Sequence, residues 1–194
     1  MRTHVKLFAP LLLFVSLAVG QDNAWKLDKG HSSIAFSIPH MVISEVQGRF
    51  DDFTITFTTP GDDLNNASVT ATINVKSIDT GNDGRDKELR SANFFDVEKY
   101  PEIRFTSKSF KNVGGNNYDI NGDLTIRDVT KSVTFKAELR GTIKTQRGSI
   151  SAWKVSLKIN RFDYGLAWNR VLETGGLVAG ETVTITMNLE LRSS

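Results

Sequence analysis

The chain has 194 residues, 24 Lys+Arg against 22 Asp+Glu, 39% hydrophobic residues and no cysteine. That length suits one domain with a sizeable core. The absence of cysteine excludes disulfides, thiolate metal ligands and cysteine nucleophiles. The near-balance of charge leaves no basic stripe, so a nucleic-acid partner is not expected.

Residues 1–20 read as a cleaved signal peptide. Arg2, His4 and Lys6 precede an apolar run from Leu7 to Leu17, which closes on Ala18-Val19-Gly20 and places cleavage after Gly20. The run is shorter than the roughly 20 residues of a spanning helix, and no later segment approaches that length, so no stable membrane insertion is expected. Position 21 is Gln, where a bacterial lipoprotein anchor would need Cys. Taking Arg2 and Lys6 from the 24 basic residues leaves 22 against 22, so residues 21–194 are formally neutral. An exported protein, periplasmic or secreted, is the expectation.

From there the chain alternates. Ile34, Phe36 and Ile38 open the pattern, followed by Phe53, Ile55 and Phe57, then Val69, Ala71, Ile73 and Val75. A period of two marks strands with one apolar face and one wet face. Asn82 to Arg90 breaks the rhythm with a capping residue, early acids and an Asp86/Arg90 pair four apart, which predicts a short helix. Phe94-Phe95 follows as an aromatic plug near one end, and Pro101 returns the chain to an extended path.

Alternation resumes with Ile103 and Phe105, then Tyr118, Ile120, Leu124 and Ile126. Val133, Phe135, Ala137 and Leu139 come next, then Trp153, Val155, Leu157 and Ile159, and finally Val183, Ile185, Met187 and Leu189. Turn signals separate the runs at residues 59–63, Gly114-Gly115-Asn116-Asn117, Arg147-Gly148 and Gly175-Gly176. The pattern predicts one all-β domain over residues 21–194: a single antiparallel β-barrel of about eight strands, with the short helix after the third main strand.

Alternation alone does not say which face is inside. An outer-membrane barrel expects girdles of Trp and Tyr, and the chain has three of each. With the apolar face inward, about eight strands enclose a lumen that is either filled or holds one small ligand. Ala71, Gly122 and Ala137 favour a vacancy. Phe36, Phe53, Phe135 and Trp153 could close it.

Catalytic and metal motifs fail on inspection. Asp79-Thr80-Gly81 matches the aspartic-protease tripeptide, but that chemistry needs a second carboxylate. Asp79, Asp83 and Gly84 fit part of a calcium loop, whose last ligand position falls on Arg90, a cation. His31 and His40 are the histidines after the leader, and nothing in their spacing makes a zinc site. The expectation is no enzyme, no metal and no cofactor.

Several ordered segments nonetheless carry a resemblance. They are Asp28-x-x-His31-Ser32-x-Ile34-x-Phe36-x-Ile38-x-His40 with Gly48-x-Phe50, Ser77-Ile78-Asp79-Thr80, and Arg85-Asp86-x-x-Leu89-Arg90-Ser91. Phe94-Phe95-Asp96, Tyr100-Pro101-x-Ile103-x-Phe105, Gly122-x-Leu124-Thr125-Ile126-Arg127 and Val129-Thr130-Lys131 follow. The last is Asn160-Arg161-x-Asp163-Tyr164-Gly165-Leu166-x-Trp168. Together they resemble the YceI-like family of exported lipid-binding proteins. One departure is Asp128, where the family commonly has Gly.

The resemblance implies a lipocalin-like barrel whose apolar tunnel holds a polyisoprenoid, quinone or fatty-acid-like amphiphile. It tips the choice toward a vacant lumen, and it is compatible with a homodimer. The wall is expected from Phe36, Ile38, Phe53, Ile55, Ile73, Phe105, Leu124, Phe135, Trp153, Val155 and Leu157. His40, Arg85 and Trp168 are expected at the rim, and Phe94 and Phe95 across one end. Two other readings stay open at this point: an enzyme on an isoprenoid substrate, and a ligand-free barrel acting as an interaction module.

Overall fold

Each alternating run becomes a strand in the computed structural model, which describes residues 22–61, 63–168, 170–171 and 177–193. The expected leader, Gln21 and the Gly175-Gly176 turn lie outside the described residues. In chain order the strands are β1 (Asp22–Leu27), β2 (Ser33–His40), β3 (Ser44–Phe50), β4 (Phe53–Pro60), β5 (Ser68–Asn74) and β6 (Ile78–Asp79). The helix α1 (Asp83–Arg90) follows, then β7 (Glu102–Gly114), β8 (Asn117–Ile126), β9 (Val129–Thr145), β10 (Gly148–Asn160) and β11 (Thr182–Ser193).

Eight of these close a ring in the order β1-β4-β5-β7-β8-β9-β10-β11, every pairing antiparallel. The seam is β1 on β11, from Trp25 opposite Ser193 to Leu27 opposite Leu191. β1 and β2 run in succession along the same side of β11, whose residues 184–188 pair with β2. Between them lies one 3-10 turn, Lys29–His31, capped by the Asp28 carboxylate accepting from the Gly30 N–H at 3.0 Å. β3 and β6 continue outward from β2, so the ring gains an extra flap of wall at one end.

Three strands escaped the sequence reading. β1 carries charges and an amide among its apolar residues, β6 is two residues long, and β3 has a glycine where its inward middle residue would be. Which face is inside is decided without ambiguity. Phe53, Ile55, Phe57 and Thr59 are buried while Thr54 and Thr56 are exposed, and Lys136, Lys154 and Lys158 face solvent. Lys136 pairs with Asp119 at 2.8 Å on the outer face. This is the reverse of an outer-membrane barrel, which turns apolar side chains to lipid. Among the described residues no helix is long and apolar enough to cross a membrane.

Local expectations fared unevenly. Asn82 caps α1 by accepting from the Arg85 N–H at 2.9 Å, as its position predicts. Asp86 and Arg90 do not pair. Asp86 is buried and accepts from the Thr80 N–H (3.0 Å) and hydroxyl (2.5 Å), while Arg90 donates to the carbonyls of Lys76 and Ile78. In the β8–β9 turn the left-handed residue is Arg127, at φ 57°, so the unusual Asp128 bears no such strain. Gly122 is not a vacancy: a Cβ there would come within 2.6 Å of the Phe105 ring and 2.3 Å of the Thr106 carbonyl oxygen. The glycine makes room for an aromatic side chain already in place.

Candidate functional site: a two-chambered apolar lumen

The end of the barrel remote from α1 is closed by rings. Phe110 packs on Phe57 (5.7 Å between centroids), Tyr118 (5.2 Å) and Trp153 (5.7 Å), and Trp153 also meets Tyr118 at 5.3 Å. The Trp153 indole N–H is satisfied by the buried Ser151 hydroxyl at 3.0 Å, so this floor carries no unpaired polar group. Closure comes chiefly from β4, β7, β8 and β10, where the sequence had pointed to Phe94 and Phe95 at the other end.

Above the floor lies a chamber of about 100 Å³ with an entirely apolar wall. Of the expected wall residues it receives Phe36, Ile55, Ile73, Phe105, Leu124, Phe135, Trp153 and Val155. Ala71, one of the small positions, lines it too. Phe53 and Leu157 point inward and are buried, but they pack into the surrounding core and line no chamber. Ile34, Phe50, Phe57, Met187, Leu189 and Leu191 belong to the wall and were not singled out in advance. All but Phe50 and Leu191 sit in alternating runs where parity could not rank one inward residue above another; Phe50 stands in the Gly48-x-Phe50 motif.

A second chamber of about 280 Å³ sits at the flap end. Phe36, Phe50, Ile103, Ile126 and Ile185 line both, so the two adjoin at a shared waist. Phe36 and Phe50 form that waist with ring centroids 5.6 Å apart, and Phe95 meets Phe50 edge-on at 6.3 Å. Gly48 explains the packing: its missing Cβ would stand 2.4 Å from Phe36 Cζ, so only glycine lets the ring lie across β3.

The outer chamber takes the expected rim residues. Ile38, His40, Arg85, Phe94, Phe95 and Trp168 all line it, with Phe94 against Trp168 at 5.3 Å. Glu88 is exposed, and His40, Arg85 and Trp168 are half-buried, which marks this end as the mouth. Arg85 is held by Thr80, donating to its hydroxyl (2.8 Å) and its carbonyl (2.9 Å).

Sequence reasoning missed the residue that organises the mouth. Arg161 is 3% exposed, and it donates to four backbone carbonyls: Gly180 (2.7 Å), Leu166 (2.5 Å), Trp168 (2.7 Å) and Ala179 (3.1 Å). It thereby ties the 161–168 segment to residues 179–180. No carboxylate among the described residues lies in ion-pair reach of it, and burial lowers its pKa, with Glu181 opposing. The beginning of the same segment buries Tyr164, whose phenol is pushed up to about 12 by burial and by Asp163. The motif containing both residues was visible, but a buried arginine whose partners are backbone carbonyls has no signature in sequence.

Two acids near the helix are already engaged. Asp79 pairs with Arg49, and Asp86 is engaged by Thr80. Asp28, His31 and Glu190 gather three possible ligand atoms within 4.8 Å. Arg192 already bridges the two carboxylates, at 2.7 Å from Asp28 and 2.8 Å from Glu190, which supplies the charge a cation would bring.

A family model for the YceI-like domain matches residues 25–191, nearly the whole described barrel. The chain belongs to the YceI-like family. A UPF0312 protein of Staphylococcus aureus (strain bovine RF122 / ET3-1) is 36% identical over 169 residues, covering 86% of this chain and 96% of that one. Among solved structures, the Campylobacter jejuni YceI protein aligns with a TM-score of 0.67 at 27% identity, over 87% of this chain and 96% of its own. Burkholderia cenocepacia BcnA aligns with 0.73 at 23% identity, over 84% and 98%. A domain from Saccharophagus degradans described as polyisoprenoid-binding aligns with 0.60 at 17% identity, over 88% and 98%, and shares the fold.

Proposed function

We propose that this YceI-like protein is an exported carrier that sequesters a long-chain amphiphile, a polyisoprenoid, quinone or fatty-acid derivative, in the barrel lumen. The observation that carries the reading is the pair of adjoining apolar chambers, sealed by rings at the floor and furnished with polar groups only at the mouth. Each methylene moved from water into such a lumen gains about 0.8 kcal/mol, so a chain of several isoprene units binds through apolar area with few polar contacts. His40, Arg85, Glu88 and Arg161 are the polar side chains lining the outer chamber, so the head group lies there. Family membership supports the reading, as does the fold shared with the polyisoprenoid-binding domain of S. degradans.

The enzyme reading has less behind it. A general acid or base would have to stand in a chamber; Asp79 and Asp86 line neither one, which leaves His40 and Glu88 at the mouth to supply it. Export, to the periplasm or beyond, rests on the leader pattern of residues 1–20.

Ala71→Phe tests the carrier directly. A ring at Ala71 fills the deep chamber at an overpacking cost of about 1–3 kcal/mol, which an eight-stranded barrel tolerates. The expected result is at least a tenfold weaker binding of ubiquinone, followed by quenching of tryptophan emission, with the fold intact by circular dichroism. Unchanged affinity would remove the deep chamber from the account.

A further inference from the structure

We propose that the β2–β3 tip, Met41-Val42-Ile43, is a docking finger that seats the mouth against a lipid bilayer. This builds on the carrier reading and adds the partner from which the ligand is taken.

The finger is the outward continuation of the cavity wall. Ile38, His40 and Val46, on the two arms of the hairpin, line the outer chamber, and the three tip residues project past them. Val42 is 73% exposed and Ile43 89%. Six large apolar side chains stand out as exposed among the described residues, and four of them, Met41, Val42, Ile43 and Val171, gather at this end. The others, Val113 and Ile143, stand singly near the opposite end. Lone exposed apolar residues are ordinary, but a cluster beside a ligand portal marks an interaction site.

The backbone holds the finger in an unfavourable shape. Met41 and Val42 have φ of 52° and 67°, in the left-handed region that a β-branched residue rarely adopts. Glycine or asparagine would relieve the strain, yet the tip keeps its apolar side chains. Neighbouring backbone braces it. Met41 donates its N–H to the Val178 carbonyl at 2.9 Å, Gly180 donates to Pro39 at 2.8 Å, and Ile43 closes the turn on His40 at 3.3 Å. Those internal bonds suit a segment that leaves water, where backbone groups must find partners within the protein.

The size of the patch selects the partner. A stable protein interface uses about 20–30 residues a side, far more than this tip offers. Shallow burial in the headgroup and acyl boundary, about 5–10 Å deep, needs only a few apolar side chains, and the tip carries no charge to oppose it.

The test compares the wild type with Val42→Ser/Ile43→Ser, neither residue being part of the chamber walls. On phosphatidylcholine vesicles carrying a dansyl-labelled prenyl alcohol, wild type is expected to float with the vesicles and to extract the probe at least tenfold faster than the double variant. Both should bind farnesol from solution equally. Equal flotation and equal extraction would overturn the finger and leave the carrier standing. If neither protein binds farnesol, the carrier reading fails alone. Flotation, with a blue shift in the indole emission of Ile43→Trp on vesicles, then decides the finger, and no shift overturns it. A vesicle-independent dimer that the double substitution dissociates would assign the finger to a second copy and overturn the bilayer.

Discussion

The floor of the barrel and its mouth are held together by different physics. At the floor, Phe57, Phe110, Tyr118 and Trp153 interlock as rings, and the Phe105–Phe135 pair above them is T-shaped at 4.9 Å between centroids. At the mouth, the buried Arg161 gathers four backbone carbonyls that would otherwise face an apolar chamber unpaired. Apolar packing is non-directional and tolerates exchange among side chains of similar volume. A buried hydrogen-bond hub does not, because each lost donor strands an acceptor. The floor is therefore forgiving, and the mouth is exacting.

Conservative substitutions sharpen that contrast. Arg161→Lys keeps the charge but loses the planar fork, and a lysine cannot serve all four carbonyls. Each stranded acceptor costs about 1–3 kcal/mol, so urea denaturation should show a loss of about 2–4 kcal/mol. Phe135→Leu changes more chemistry yet should cost only about 1–2 kcal/mol, since the apolar wall persists. If Phe135→Leu proved the more damaging of the two, the division between floor and mouth would be wrong.

A smaller effect lies at alkaline pH. Tyr164 has a folded pKa of about 12, raised above its ordinary value of 10.0 by burial. A raised pKa means the contribution is complete below pH 10 and is lost as pH rises toward 12. Tyr164→Phe should flatten that fall in stability between pH 10 and 12 and change little at pH 7. An unaltered alkaline limb in thermal melts would show that Tyr164 does not govern it.

The same contrast explains what the sequence disclosed. Parity needs only alternating residue types, so the inward Ile55, Ile73, Leu124, Phe135 and Val155 were legible, as was the capped helix beginning at Asn82. β1 and β6 were not, because charges or brevity hide their alternation. Gly122 misled because a small inward residue signals either empty space or a neighbour's ring, and only the fold shows Phe105 lying there. Arg161 stands within a motif that discloses no role for it, since its partners are backbone carbonyls some five to nineteen residues away. At the mouth, the packing depends on such long-range backbone contacts. They leave no periodic trace.

The central claim is that the lumen carries a chain, and native mass spectrometry tests it most directly. The protein would be purified without detergent from its own host and its bound material extracted into solvent. The account predicts a discrete adduct that extracts as a prenyl, quinone or acyl lipid. A clean apo mass, unchanged after incubation with quinone and prenyl lipids, would contradict it.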